Sequence, residues 1–112
     1  IDDSNWWKLL RGSLIVDAMD NAASRRVVTE VLDIPCLSIG ILEGYSEVRW
    51  HSNGYRVPPD AIGDACDYPL SRTMIMLVVA VAAEEILDFC LADEPRTSDW
   101  TITLKDLCIR EA

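Results

Sequence analysis

The sequence predicts an α+β domain in which an antiparallel β-meander of three to four strands packs against an N-terminal helix and a long buried helix. Three observations support this prediction. Ser71 to Leu91 is almost continuously apolar and, at about 20 residues, too long for a strand. The stretch before it holds short runs rich in β-branched residues, and Asn53-Gly54 is a hairpin signature. Half of the 112 residues are hydrophobic, which predicts a single domain spanning 1–112.

The central apolar helix, Ser71 to Leu91, is expected to organise the fold. Every residue from Met74 to Ala83 is apolar, and a helix without a polar face has to be enclosed by other elements. The run of Val78, Val79 and Val81 also suits a strand, and length decides for the helix. The apolar core is too short for a bilayer, which needs about 20 residues. We therefore expect a helix buried on all sides, unfolded by Asp at position 79.

The remaining elements follow from capping residues, spacing and turn signals. Apolar residues at helical spacing, such as Leu14 and Ala18, predict a first helix. β-branched residues before Pro35 favour a strand, although continuation of the first helix is the alternative. The predicted order is a helix over 3–23, strands over 27–34 and 37–42, a hairpin over 46–58 turning at Asn53-Gly54, a short helix over 60–66, the central helix, and an extended piece followed by a helical turn over 100–109.

The chain is strongly acidic, with a net charge of −9 and a pI near 4.4. We expect no direct binding to nucleic acid, because affinity for phosphates comes from clustered Lys and Arg. An acidic surface instead suits a basic protein partner. No transmembrane span or targeting segment is visible, so we expect no membrane partner and a cytoplasmic location. The sequence carries no cofactor signature of the GxGxxG, P-loop or HExxH type, and no cofactor is predicted.

Several carboxylates crowd the C-terminal half of the central helix, where the helix dipole disfavours negative charge by about 0.3–1 kcal/mol each. A rule broken repeatedly within about ten residues is typical of a functional surface. The alternatives are that these carboxylates form solvated helix faces or that they bind a divalent cation. The acidic residues show no EF-hand pattern. The predicted partner-binding residues are Glu84, Glu85, Asp88, Asp93 and Glu94, with Asp60 and Asp64, and with Trp50 or Tyr55 as aromatic anchors.

The leading functional hypothesis is an acidic module that neutralises a basic protein by occlusion, like an immunity or inhibitor protein. The segment WHSNGYRVPPDAIG resembles segments of small bacterial immunity proteins, and no residue role is carried over from this short stretch. One alternative is a small-molecule-binding domain or enzyme with a pocket lined by Trp50, His51 and Tyr55. Another is a homo-oligomeric module, a homodimer for example, that covers the apolar helix. Mimicry of DNA by a ridge of charges is the third.

The cysteines and the single histidine predict no catalytic site. Cys36, Cys66, Cys90 and Cys108 form no CxxC pair, which argues against zinc. Apolar neighbours predict buried thiols at Cys36, Cys90 and Cys108, and one or two disulfides are the alternative. His51 is expected on the exposed side of the predicted hairpin, without a cysteine placed beside it.

Overall fold

The computed structural model describes residues 4, 12–19, 21–31, 34–42, 44–60, 71–92, 94 and 98–112. The α+β class is confirmed, but the sheet is mixed and has five strands rather than three to four. Their order is β1-β2-β3-β4-β5, with β1 parallel to β2 and each later pair antiparallel. The elements are β1 (Ile15–Asp17), α1 (Ala22–Val31), β2 (Cys36–Leu42), β3 (Tyr45–Trp50), α2 (Ser71–Ala92), β4 (Trp100–Thr103) and β5 (Cys108–Glu111).

The first part of the chain forms a β-α-β unit, and two sequence predictions fail there. Ile15–Asp17 is a strand inside the predicted first helix, and α1 continues to Val31 through the predicted strand 27–34. The reason is tertiary, because β1 pairs in parallel with β2 and parallel neighbours need a crossover connection. Of the predicted first helix, residues 1–3, 5–11 and 20 lie outside the described residues.

Two side chains of the protein cap the N-terminus of α1. The Asn21 side-chain oxygen accepts a hydrogen bond from the Ser24 backbone N–H at 2.8 Å. The Ala22 N–H donates to Asp60 Oδ1 at 2.6 Å. Two backbone donors of the first helical turn are thereby satisfied by nearby polar side chains.

Strands β2 and β3 confirm the predicted centre of the meander, but their connection differs from the predicted hairpin. They pair from Leu37 with Trp50 to Leu42 with Tyr45, close to a turn containing Gly44 at φ 68°. The predicted hairpin with its turn at Asn53-Gly54 is wrong. His51–Asn53 forms one 3₁₀ turn that ends at Gly54 with φ 80°, and 55–60 follow without strand structure. The Asn53-Gly54 pattern correctly indicated a left-handed backbone conformation at Gly54. The strand that pairs with the second edge of β3 is β4.

The C-terminal segment is a β-hairpin rather than an extended piece followed by a helical turn. Strand β4 confirms the extended piece, and β5 pairs with it from Thr103–Cys108 to Trp100–Glu111. The side chains of Thr103 and Asp106 hydrogen-bond to each other where β4 enters the turn over 104–107. The predicted short helix over 60–66 falls almost wholly outside the described residues, which include only Asp60 of it.

The two helices pack on opposite faces of the sheet. Leu37 and Trp50 join Met74 and Val78 of α2 in one core cluster. Cys36 instead clusters with Val28 of α1. Because neighbouring strand residues point to opposite faces, the positions of Cys36 and Leu37 place α1 and α2 on different sides.

Helix α2 confirms the predicted central helix, but its enclosure on all sides is wrong. One side is buried against the sheet and the opposite side is exposed, with Met76 at 74% and Leu91 at 87% exposure. A single sheet covers only one face of a helix, and α1 lies across the sheet from α2. Within the described part of the chain, neither helix combines the length and apolarity needed to cross a membrane. The buried side consists of Met74, Val78, Ala82, Glu85 and Phe89.

Candidate functional site

The exposed side of α2 holds most of the exposed large apolar side chains among the described residues. Its exposed large side chains account for five of the nine exposed large hydrophobics in that part of the chain. They lie at positions 75, 76, 79, 87 and 91, and with the exposed smaller residues Ala80, Ala83 and Cys90 the 3.6-residue helical period places them on one broad stripe. We call this stripe the outer face of α2; its apolar members are Ile75, Met76, Val79, Ala80, Ala83, Leu87, Cys90 and Leu91.

Charged residues lie at the ends and flank of the outer face. Arg72 is exposed in the first turn of α2, and Glu94 is exposed just beyond its last residue. Glu84 is exposed beside Ala83, on the flank. The centre of the outer face is therefore apolar, and its two ends carry opposite charges.

The predicted acidic patch is not assembled as expected. Glu84, Glu94 and Asp60 are exposed and Asp88 is half-buried, while Asp93 and Asp64 lie outside the described residues. Glu85, one of the predicted partner-binding residues, is only 2% exposed. Trp50, one of the two predicted aromatic anchors, is 1% exposed, whereas Tyr55 is half-buried.

The buried Glu85 carboxylate accepts hydrogen bonds inside the fold. Trp50 Nε1 of β3 donates to Glu85 Oε2 at 3.0 Å, and Trp100 Nε1 of β4 donates to Glu85 Oε1 at 2.6 Å. An indole N–H is a donor only, and hydrogen bonds to an ionised acceptor are the stronger kind. One carboxylate thus ties α2 to two strands. The unfavourable placement of this charge along the helix is explained by the two tryptophans, which the sequence pattern did not connect with it.

A second buried polar network joins β1, α1 and β2. Asp17 accepts from Arg25 Nη1 at 3.2 Å, from the Ser38 hydroxyl at 2.8 Å and from the Met19 N–H at 3.0 Å. Arg25 Nη2 also donates to the Ile39 carbonyl at 2.8 Å. Neither Asp17 nor Arg25 is among the site residues predicted from the sequence. Asp17 ends β1 and Arg25 lies in α1, so the two residues come together only through the folding of the β-α-β unit.

His51 and Tyr55 border this network. The two rings stack with centroids 4.4 Å apart, and Arg25 Nη1 lies 3.3 Å from the Tyr55 hydroxyl. His51 Nε2 is hydrogen-bonded to the Ser38 hydroxyl, so the exposed hairpin position predicted for His51 is wrong. Because Asp17 takes the single hydroxyl proton of Ser38, Nε2 must itself carry a proton and donate.

This order of groups differs from a nucleophilic triad. In a triad the histidine lies between serine and carboxylate and accepts the hydroxyl proton. Here the serine lies in the middle, donates its hydroxyl hydrogen bond to Asp17 and is buried. The arrangement fixes β1, β2 and the end of β3 relative to one another, and it leaves Ser38 without a base.

The described cysteines have three different environments. Burial, followed by the charge of Asp17, raises the pKa of Cys36 to about 12, so its thiol stays protonated and unreactive. Cys36 is the buried thiol expected from sequence, but Cys90 is exposed and Cys108 half-buried, and all three are free. No three histidine, cysteine or carboxylate side chains in the described segments are grouped as a metal ion would require.

The environment of His51 predicts a pH dependence of stability. Burial lowers the pKa of His51 below its usual 6.5, opposed by Asp17 and reinforced by Arg25. The unfolded state therefore binds a proton more readily, and this contribution to stability is fully present above pH 6.5. We expect the free energy of unfolding to fall as pH drops below 6.5, with a slope of at most about 1.4 kcal/mol per pH unit. Urea titrations between pH 5 and 8 measure this slope.

The matched control for this prediction is His51→Gln, which keeps a side-chain donor for Ser38 but does not titrate. The chain has a single histidine, so the substitution removes the only imidazole. We expect a flatter profile below pH 6.5 in the variant. An unchanged profile would assign the pH dependence to other groups.

No protein-family model, no characterised protein and no solved structure matches this chain in the three comparisons made. The outer face of α2 is the candidate site, because the two polar networks hold their groups inside the fold.

Proposed function

We propose that the protein is a protein-binding module whose contact surface is the outer face of α2. The observation behind this proposal is a stripe of exposed apolar side chains along a helix whose other side is fully packed. Contiguous apolar patches larger than a few hundred Å² are uncommon on monomeric proteins, and such patches mark interaction sites. A helix presenting such a stripe is suited to pack against a second helix or into an apolar groove.

The energy available from this surface is sufficient for specific association. Fully burying one large aliphatic or Met side chain contributes roughly 1.5–3 kcal/mol. Met76, Leu87 and Leu91 are each more than half exposed, so most of that contribution is still available to a partner. Part of the gain offsets the entropy lost on association, which is why a single exposed leucine would not be enough.

The basic partner predicted from net charge takes a smaller part in this proposal. Glu84 and Glu94 remain exposed and suit a partner that carries Lys or Arg at its rim. Rim ion pairs steer association and weaken with salt. An apolar contact persists at high salt, so we expect binding at the outer face to survive salt that would dissolve a purely acidic contact.

The small-molecule alternative stays a prediction. Of its three expected lining residues, His51 and Tyr55 are neighbours in a half-buried stack, while Trp50 points into the core. The polar atoms described around the stack are engaged with Arg25 and Ser38. The alternative therefore has less support than association through α2.

Two adjacent valines provide a matched test of the proposal. Val78 is 1% exposed and Val79 is 55% exposed. We expect Val79→Asp to change the free energy of unfolding by no more than about 1 kcal/mol and to abolish association. Val78→Asp should unfold the domain, since it buries an unpaired charge. Circular dichroism melts report folding, while sedimentation velocity and affinity capture at low and high salt report association.

The earlier expectation that Asp at position 79 unfolds the domain followed from enclosure of the helix, and the exposed position of Val79 reverses it. Unfolding of Val79→Asp would mean that the outer face is covered within the monomer. A folded Val79→Asp protein that binds like the unmodified chain would remove the outer face from the function.

A further inference from the structure

We propose that the partner of the outer face is a second copy of this chain, packed antiparallel about a two-fold axis at Ala83. This inference rests on the proposed function and names its partner. A two-fold interface joins the same surface on both subunits, so the surface must complement itself. The spacing of residues along α2 meets that requirement.

Antiparallel packing about Ala83 pairs residues equally far before and after it. Val79 and Leu87 lie four residues to either side, and Met76 and Cys90 lie seven residues to either side. All four are exposed on the outer face. Apolar side chains thus meet apolar side chains along the whole stripe.

The charged ends select the antiparallel direction. Arg72 lies in the first turn of α2 and Glu94 lies two residues beyond its end, so the two-fold brings the Arg72 end of one copy towards the Glu94 end of the other. A parallel pair would place like charges together at both ends, which is destabilising. Antiparallel helices also bring the positive N-terminal end of each helix close to the negative C-terminal end of the other.

The residue on the axis permits close approach. Ala83 is exposed and has a small side chain, as does Ala80 one turn earlier. Packed helices lie about 8–10 Å apart depending on the side chains at the contact, and alanine favours the lower end. With Cα atoms about 2.3 Å from each helix axis, facing Cα atoms at the crossing are roughly 3.4–5.4 Å apart.

Net charge opposes the pairing and gives it a salt signature. Each copy carries −9, so two copies repel one another at low ionic strength. Salt screens this repulsion and leaves the apolar contact intact. The dimer should therefore become tighter as salt rises, the opposite of an acidic module bound to a basic protein.

Directed cross-linking tests the pairing. Ala83→Cys places a thiol on the axis, where the facing Cα distance is close to the 4.4–6.8 Å of disulfides. We expect mild oxidation to give a covalent dimer joined through residue 83, identified by mass spectrometry of the linked peptides. In the unmodified chain the two Cys90 thiols are about 21 Å apart along the antiparallel pair and should not cross-link to each other.

The control variant is Ala83→Cys combined with Val79→Asp, which should lose the covalent dimer while remaining folded. Cross-linking between two Cys90 thiols in the unmodified chain would overturn the antiparallel arrangement. A chain that stays at 12.5 kDa in sedimentation at high salt, with no dimer through position 83, would overturn self-association. If such a monomer bound a different protein in a manner sensitive to Val79→Asp, the proposed function would stand and only the second copy would be wrong.

Discussion

Replacing Glu85 by Ala should lower the free energy of unfolding by about 3–5 kcal/mol, a large fraction of the 5–15 kcal/mol typical of a domain. The change leaves the indole N–H groups of Trp50 and Trp100 without their acceptor. A buried donor without a partner costs about 1–3 kcal/mol, and the loss of packing adds to this. Urea unfolding followed by far-ultraviolet circular dichroism and tryptophan fluorescence measures the change.

Glu84→Ala is the matched control, because Glu84 precedes Glu85 on the same helix but is exposed. It should stay within about 0.5 kcal/mol of the unmodified chain. Glu85→Gln should fall between the two, since its amide retains one acceptor oxygen. A loss below about 1 kcal/mol for Glu85→Ala would show that the carboxylate does not hold the indoles. Charge reversal of the acidic residues on α2 must therefore spare Glu85, or it tests folding instead of binding.

Replacing Asp17 by Asn should cost about 3–5 kcal/mol, because it leaves a buried arginine without its counter-charge. Asp17 is fully buried and Arg25 nearly so, at 3.2 Å from each other. The substitution keeps the size of the side chain and one acceptor for Ser38, but its amide nitrogen replaces the oxygen that accepts from the Met19 N–H, so the loss reports the charge together with that hydrogen bond. Equilibrium unfolding in urea at pH 7 provides the measurement.

A double variant separates the charge from the packing in this network. Adding Arg25→Met to Asp17→Asn removes the unpaired charge and fills similar space with apolar atoms, so part of the lost stability should return. Arg26→Met, at the exposed neighbouring position, should have little effect alone or in combination. If the double variant is no more stable than Asp17→Asn, the ion pair is not the source of the loss.

Three of the carboxylates that make the chain acidic are buried. Asp17, Glu85 and Asp99 are buried carboxylates with hydrogen-bond donors around them. Asp99 accepts from the Trp50 backbone N–H at 2.9 Å and from the Asn53 side chain at 3.0 Å. Part of the negative charge is thus structural, and a count of Asp and Glu overstates the charge offered to a partner.

Sequence patterns located the elements that are set by local chemistry. The length and apolarity of 71–91 predicted α2 to within one residue of its end, and the alternating residues of 37–42 predicted β2. The same reasoning failed for β1 and β5, which are short strands held by their neighbours. Val27–Val31 is helical despite its β-branched residues, because the parallel pairing of β1 and β2 requires a crossover there.

By itself, the sequence determined that this protein has an α+β fold with a long apolar helix and an excess of acidic residues, because length, hydropathy and charge are local properties. Only the tertiary structure decided which side of that helix is buried. It also decided that Glu85 faces two tryptophans while Val79 faces outward. These assignments depend on where the single sheet lies, and the sheet is made by pairing segments far apart in the chain. The candidate site followed from that packing, because the residue pattern of a helix that is apolar on every side does not indicate which side is exposed.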